Sequence, residues 1–206
     1  MRVIYFAPGN GGMYYCENCY RDALLPRALN RENHDAFVVP LYLPAQESDE
    51  ARPESGTNPA GNDASRSCPI FLNAIRVYLE GTLPLFRYIP RVLGRLFDLP
   101  FFIKLAANRS DTVKAQALGK VTEAVLLGEN GPIKQEIEQL TDFLRQTRQE
   151  VDVFHFSTPL LLGIWPALQR LYPEAICICC VQDELAWIDK MEAQWKQRVF
   201  ELMKQH

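Results

Sequence analysis

The chain has 206 residues, a formal net charge of -3 at pH 7, 48% hydrophobic residues and 23% charged residues, which suits a globular protein with a sizeable core. The weakly acidic balance excludes a nucleic-acid footprint over the whole surface, because that needs a basic face. No run approaches the roughly 18 uninterrupted apolar residues of a membrane span, and the apolar run at 3–8 is too short for a secretory signal. We therefore predict a cytoplasmic protein with reduced cysteines.

The N-terminal part of the sequence predicts a strand, a helix and a second strand. The buried strand covers 2–8, the helix runs from about Glu17 to Asn30, and the second strand lies within 35–44. This order is the βαβ unit from which parallel sheets are built. Pro26 falls inside the helical pattern, where it removes a backbone donor and predicts a kink.

The middle of the chain changes composition. Residues 45–67 are rich in Ser, Asn, Pro, Gly and acids, which predicts a flexible surface loop. A third strand candidate follows at about Phe71–Leu79. A helical insertion is expected at about 84–127, and its first part, 84–109, is aromatic and basic. For 84–109 we favour a helical cover on the sheet over a peripheral membrane contact, and a lid over a bound ligand is a further alternative.

The remaining sequence alternates helices and strands. The predicted elements are helices at about Asp111–Leu127 and Pro132–Gln149, a strand at 151–156, a helix at 159–172, a strand at 174–181 and a final helix from Met191 to about Gln205. Alternating strands and helices indicate helices on both faces of a parallel sheet. We therefore predict one doubly wound, mostly parallel α/β domain over residues 1–206.

The Cys-x-x-Cys pair formed by Cys16 and Cys19 has three interpretations. A zinc site needs four ligands. The other cysteines are Cys68 and the cluster at 177–180, and that cluster lies in a predicted strand, whose alternating side chains cannot all face one ion. A redox dithiol needs the pair at a helix start after a strand, which this position fits loosely. Because the glycine-rich loop before the pair is not typical of the thioredoxin fold, we favour structural thiols and expect no metal.

Three glycines, Gly9, Gly11 and Gly12, follow the first predicted strand. Open α/β sheets bind ligands at this edge, where backbone N–H groups and a helix N-terminus favour an anion. The spacing is not Gly-x-Gly-x-x-Gly, and no acidic residue follows the second strand, so dinucleotide binding is disfavoured. A loop that faces phosphate or sugar and a simple tight turn both remain open.

Polar side chains follow the last two predicted strands. They are His155, Ser157, Thr158, Gln182, Asp183 and Glu184. Because the carboxyl ends of parallel strands meet at one rim, we expect these side chains to converge with the glycine-rich loop on one cleft that binds substrate or donor. Helix capping is the ordinary alternative for Ser157, Thr158 and Asp183, and a buried core position is the alternative for His155.

Two long segments carry a family resemblance. They are RVIYFAPGNGGM with the following CENCYRDALLPRALNRENHDAFVVPLYLP, and DVFHFSTPLLLGIWPALQRLYPEAICICCVQDE. Both are similar to the N-terminal domain of group 1 (family 4) glycosyltransferases of the GT-B type. In that family a strand, a Gly-Gly loop, a helix and a later histidine-bearing strand follow in the same order. The stretch NAIRVYLEGTLPLFR is also similar to the glycogen and starch synthase branch.

This resemblance implies a transferase that moves a sugar from a nucleotide-sugar donor to a carbohydrate or lipid-linked acceptor, without a further cofactor. The Rossmann-like domain would mainly hold the acceptor, while the Gly-Gly loop, matched by Gly11 and Gly12, would approach the donor phosphates. His155 matches the histidine of the family's fourth strand. Gln182 and Asp183 stand where the family has His-Asp. Since glutamine cannot act as an acid or a base, Asp183 remains as the catalytic candidate.

The chain departs from the family in length. Family members carry a second Rossmann-like domain with the nucleotide-sugar site and a Glu-x7-Glu motif, which does not follow here. We expect a fragment or a shortened relative that is inactive without this C-terminal domain, because the donor phosphates must be positioned for the transition state. The alternative is a non-catalytic binding domain of the same fold, and a Cys-based zinc or redox protein is a third.

Overall fold

The computed structural model describes residues 1–8, 17–41, 115–147 and 150–206. The strands are β1 (Arg2–Ala7), β2 (Asp35–Pro40), β3 (Val153–Phe156) and β4 (Ile176–Cys179). The helices are α1 (Glu17–Arg31), α2 (Ala115–Leu127), α3 (Lys134–Thr147), α4 (Trp165–Leu171), α5 (Glu184–Ile188) and α6 (Ala193–Met203), with 3-10 turns at Gly128–Asn130 and Pro159–Ile164.

The described strands form one sheet with the order β2-β1-β3-β4, and every pair is parallel. The chain passes from β1 to β2 on one side and reaches β3 and β4 on the other side of β1. The direction of strand order therefore reverses between β1 and β3. The prediction of an α/β fold with a parallel sheet is confirmed.

One face of the sheet carries the main core. Phe6 of β1 stacks on both Phe154 and Phe156 of β3, with ring centroids 6.0 Å and 5.2 Å apart. These rings pack with buried side chains of α2, α3 and α4. Burial of each large apolar side chain contributes about 1.5–3 kcal/mol, so this face provides much of the stability of the described fold.

The opposite face is covered by α1 over β1 and β2. Leu29 of α1 packs against Val3, Ala36 and Val153. The side chain of Asn30 accepts a hydrogen bond from the Ala36 N–H at 2.7 Å and donates one to the Ala36 carbonyl at 2.8 Å. This pair of bonds fixes the end of α1 against β2, so helices lie on both faces of the sheet.

The predicted helix at 159–172 is wrong in its first half, which is a 3-10 segment. Pro166 has no N–H to bond the Leu162 carbonyl four residues earlier. The N–H of Trp165 bonds that carbonyl instead, which is the tighter i to i+3 pattern of a 3-10 helix. The α-helix begins only at Trp165. The short helix α5 had no counterpart among the predicted elements.

Several predictions concern residues outside the described ranges. They are the loop at 45–67, the strand candidate at Phe71–Leu79 and the basic segment 84–109. Helix α2 coincides with the end of the helical insertion predicted at about 84–127. Pro26 lies inside α1 and is buried. Among the described helices, none has the length and apolar character needed to cross a membrane.

Two glycines allow α2 and the 3-10 segment to approach closely. Gly128 has a φ of 56°, in the left-handed region, and a Cβ there would overlap the Gly163 carbonyl. A Cβ at Gly163 would overlap the carbonyls of Val125 and Leu126. Backbone therefore touches backbone at this crossing.

We expect Gly163→Ala to lower the free energy of unfolding by about 3 kcal/mol, because the added methyl group has backbone rather than a flexible side chain against it. Urea denaturation followed by circular dichroism would measure the loss. Ala186→Ser adds one atom on the exposed α5 and should change stability by about 0.5 kcal/mol or less. Equal stability of Gly163→Ala and the unchanged protein would contradict the close approach.

Candidate functional site

The site is built around two aromatic side chains on neighbouring strands. Tyr5 of β1 lies opposite His155 of β3 in the parallel register. Their rings stack with centroids 4.5 Å apart and an interplanar angle of 16°. Both side chains point to the α1 face, away from the phenylalanine core, because successive residues of a strand alternate between the two faces. Their position between β1 and β3 is the switch point at which open α/β sheets bind ligands.

Helix α1 supplies a carboxylate to this pair. The hydroxyl of Tyr5 donates a hydrogen bond to Asp22 Oδ1 at 2.6 Å. Burial raises the pKa of Asp22, against the lowering effects of the Tyr5 hydrogen bond and the Arg21 charge. Burial also raises the pKa of Tyr5, and the Asp22 bond adds to that effect. The tyrosine therefore remains a hydrogen-bond donor, and the carboxyl group takes up a proton more readily than an exposed one.

Hydrogen bonds of Gln182 join the segments that follow β3 and β4. Gln182 Nε2 donates to the Ser157 carbonyl at 2.6 Å, and the Gln182 N–H donates to Glu184 Oε2 at 2.6 Å. Ser157 is fully buried. Its hydroxyl lies near enough to Asp22 to lower the pKa of that carboxyl, yet Ser157 Oγ makes no hydrogen bond of normal geometry with the described residues.

His155 is only 8% exposed. Its Nε2 lies 3.4 Å from Cys180 Sγ, while its Nδ1 is buried and has no hydrogen-bond partner in the described part of the chain. Burial lowers the pKa of His155, and the positive charge of Arg21 lowers it further. At neutral pH the imidazole is therefore uncharged, with one nitrogen available to a ligand.

Arg21 precedes Asp22 on α1 and carries the positive charge of the site. Its Nη2 lies 3.9 Å from Asp22 Oδ1, which is too far for a hydrogen bond. Nε and Nη2 are buried and make no hydrogen bond with residues that the structure describes. The side chain as a whole remains 42% exposed, so the guanidinium group connects the buried cluster with solvent.

The structure joins Gln182 to the Ser157 carbonyl and to the buried Glu184, and it places His155 on β3, two residues before Ser157. Thr158 follows the capping alternative, since its Oγ1 accepts a hydrogen bond from the Leu160 N–H at 3.3 Å. Asp183 does not cap α5. It lies exposed at the rim, where its Oδ1 accepts a hydrogen bond from Asn18 Nδ2 at 2.6 Å.

Some predicted site residues fall outside the described ranges. They are Gly9, Gly11, Gly12 and Cys16, and the side chain of Cys19 is likewise not described. Cys177, Cys179 and Cys180 are free thiols. Burial raises the pKa of Cys179 to about 12, with smaller contributions from its neighbours. The described residues contain no group of three or more His, Cys, Asp or Glu side chains suited to a metal ion.

Sequence reasoning missed four members of the site: Tyr5, Arg21, Asp22 and Cys180. Tyr5 could have been found from strand alternation, since an aromatic hydroxyl on a face covered by α1 needs a partner. Arg21 and Asp22 lie near the start of the helix that follows β1, and that end of the helix faces the ligand edge of a parallel sheet. Charged residues near the start of this helix were therefore an available signal.

Comparison with models of protein families, with curated proteins and with solved structures gives no match to this chain. The fold and the site thus define it as a parallel α/β protein. A buried polar cluster lies at the carboxyl edge of its described sheet.

We expect Asp22→Asn to gain stability relative to the unchanged protein as the pH rises from about 4 to about 7. The pKa of Asp22 is raised in the folded state, so the folded protein holds the proton more tightly than the unfolded chain. Stability from this group is present below the unfolded pKa and is lost as the pH rises through the folded pKa. Thermal unfolding of both proteins across this range would measure the difference, and a constant difference would contradict the raised pKa.

We also expect the NMR titration midpoint of His155 to lie below about 6.5, the ordinary value for histidine. Arg21→Gln should raise this midpoint, because it removes a positive charge that disfavours the imidazolium form. Arg31→Gln removes the same charge from the last turn of α1 and serves as the matched control. Equal midpoints in the two variants would show that Arg21 does not act on His155.

Proposed function

We propose that the chain is the acceptor-side domain of a GT-B-type glycosyltransferase that moves a sugar from a nucleotide-sugar donor to a carbohydrate or lipid-linked acceptor. The observation that carries the proposal is the convergence of polar side chains from β1, α1, β3 and the segment after β4 at the strand-order reversal. Ligands of open α/β sheets bind at this position. The parallel order β2-β1-β3-β4 supports a Rossmann-like half of such an enzyme.

The chemistry of the cluster suits a ligand rich in hydroxyl groups. Sugars both donate and accept hydrogen bonds, and the cluster offers a carboxyl group at Asp22, a hydroxyl at Ser157 and an imidazole nitrogen at His155. The aromatic ring of Tyr5 and the carbonyl bound by Gln182 hold these groups in place. A preformed set of polar groups is the arrangement that orients a small ligand.

Two further roles follow from the family resemblance. The loop with Gly11 and Gly12 would face the donor phosphates, since it follows β1 in the sequence and β1 ends at this edge of the sheet. Asp183 would be the carboxylate nearest an incoming acceptor, and its exposure at the rim supports this role. A general base must come within hydrogen-bond reach of the hydroxyl from which it takes a proton, so an exposed carboxylate at the cleft is suitably placed.

We expect the full chain to bind UDP-glucose weakly through its side of the cleft, with NMR shift changes centred on the amides of Ser157, Thr158 and Gln182. Gln182→Ala should weaken binding about tenfold, because the loss of its part-buried hydrogen bond to the Ser157 carbonyl frees the strand ends that form the cleft. Gln139→Ala changes an exposed glutamine of α3 and should leave the affinity unchanged. Shift changes confined to α3 and α6 would place the ligand elsewhere and contradict the proposed site.

A further inference from the structure

Among the described residues, the cluster holds several buried polar groups that can donate hydrogen bonds and have no partner. Arg21 Nε and Nη2 are buried donors without partners in the described ranges, and the Ser157 hydroxyl and His155 Nδ1 are likewise buried and unpartnered. The nearby acceptor Asp22 Oδ1 already receives the Tyr5 hydroxyl at 2.6 Å. Buried polar groups are normally paired, and leaving one unpaired destabilises the folded protein. A ligand that accepts hydrogen bonds would remove this cost.

Two of the unpaired groups act on the carboxyl group of Asp22, and the third stacks on the tyrosine that bonds this carboxyl group. Arg21 Nη2 is 3.9 Å from Asp22 Oδ1, and the Ser157 hydroxyl acts on the same carboxyl group. The His155 ring stacks on Tyr5, whose hydroxyl bonds Asp22. Ser157 and His155 are two residues apart at the end of β3, so their side chains share the α1 face.

The donor set fits a phosphoryl group. An arginine presents its N–H groups in a planar fork that matches two phosphate oxygens. The Ser157 hydroxyl and the protonated tautomer of His155 at Nδ1 would serve the remaining oxygen. A carboxylate can also accept several hydrogen bonds, but its two oxygens lie in one plane, whereas the three oxygens of a phosphoryl group point in three directions.

We infer that Arg21, Ser157 and His155 form a phosphoryl-binding subsite at the carboxyl edge of β3. The subsite is inferred from the unpaired donors, so it goes beyond the proposed function. Only the identity of the complete ligand depends on the proposed function. Asp22 sets its selectivity: the carboxylate repels the dianion, so a bound phosphoryl group favours the protonated form of Asp22. Arg21 and Asp22 should therefore act on phosphate affinity in opposite directions.

Titration of the full chain with inorganic phosphate at constant ionic strength, followed by calorimetry, tests the subsite. Arg21→Gln should raise the dissociation constant at least about tenfold, because it removes charge-assisted hydrogen bonds. Ser157→Ala should raise it about threefold or more. Asp22→Asn should lower it, an effect that a merely structural role for these residues would not produce. Arg31→Gln, on the same helix, should leave it unchanged.

Amide NMR spectra of each variant establish that it folds. If Arg21→Gln does not fold, Arg21→Lys keeps the charge but loses the planar fork, and it should weaken phosphate binding about tenfold. The subsite is overturned if phosphate does not bind the unchanged protein at about 10 mM. It is also overturned if the variants of Arg21 and Arg31 bind equally, or if Asp22→Asn weakens binding.

The same samples titrated with UDP-glucose separate this subsite from the proposed function. Arg21-dependent phosphate binding without any nucleotide-sugar binding would retain the subsite and reject the glycosyltransferase proposal. The opposite result is nucleotide-sugar binding at Ser157 and Gln182 that Arg21→Gln does not change, without any phosphate binding. That result would retain the glycosyltransferase proposal and reject the subsite.

Discussion

The parallel pairing of β1 with β3 is the constraint on which the rest of the described structure depends. It places Phe6 beside Phe156 on one face and Tyr5 beside His155 on the other. A shift of one residue would exchange the two faces and move polar rings into the phenylalanine core. Register is therefore fixed by the apolar face. Once it is fixed, the tyrosine hydroxyl and the imidazole need partners on the opposite face, where α1 supplies Asp22.

The electrostatics of the cleft follow from this burial. Desolvation raises the pKa of Asp22 and lowers the pKa of His155, so it favours the neutral form of each group. The positive charge of Arg21 opposes desolvation at Asp22 but reinforces it at His155. At neutral pH the arrangement therefore keeps an uncharged imidazole beside a fixed cation. Both are then available as hydrogen-bond donors, and the imidazole does not repel the guanidinium group.

Much of the described fold could be predicted from local patterns. The apolar runs at the strands and the periodicity of α1, α3 and α6 come from neighbouring residues alone. The 3-10 segment before α4 could also have been read from Pro166, since its missing N–H is a local property. In the site, His155, Ser157 and Gln182 were found because polar residues at strand ends share one rim. The contact of Tyr5 with Asp22 was not, because it depends on how α1 is rotated against the sheet.

Arg21 differs from the other arginines whose ion pairs the structure describes. Arg2 bonds Asp35 at 2.6 Å and Arg198 bonds Glu123 at 3.1 Å. In the cleft the near oxygen of Asp22 is bonded by Tyr5 instead, and Arg21 is left 3.9 Å away. The tyrosine hydroxyl already gives this carboxyl oxygen a hydrogen-bond donor, so the oxygen does not need the guanidinium group as its partner. The described residues thus leave two nitrogens of the guanidinium group without a hydrogen-bond partner. The oxygens of a ligand would accept hydrogen bonds from these nitrogens.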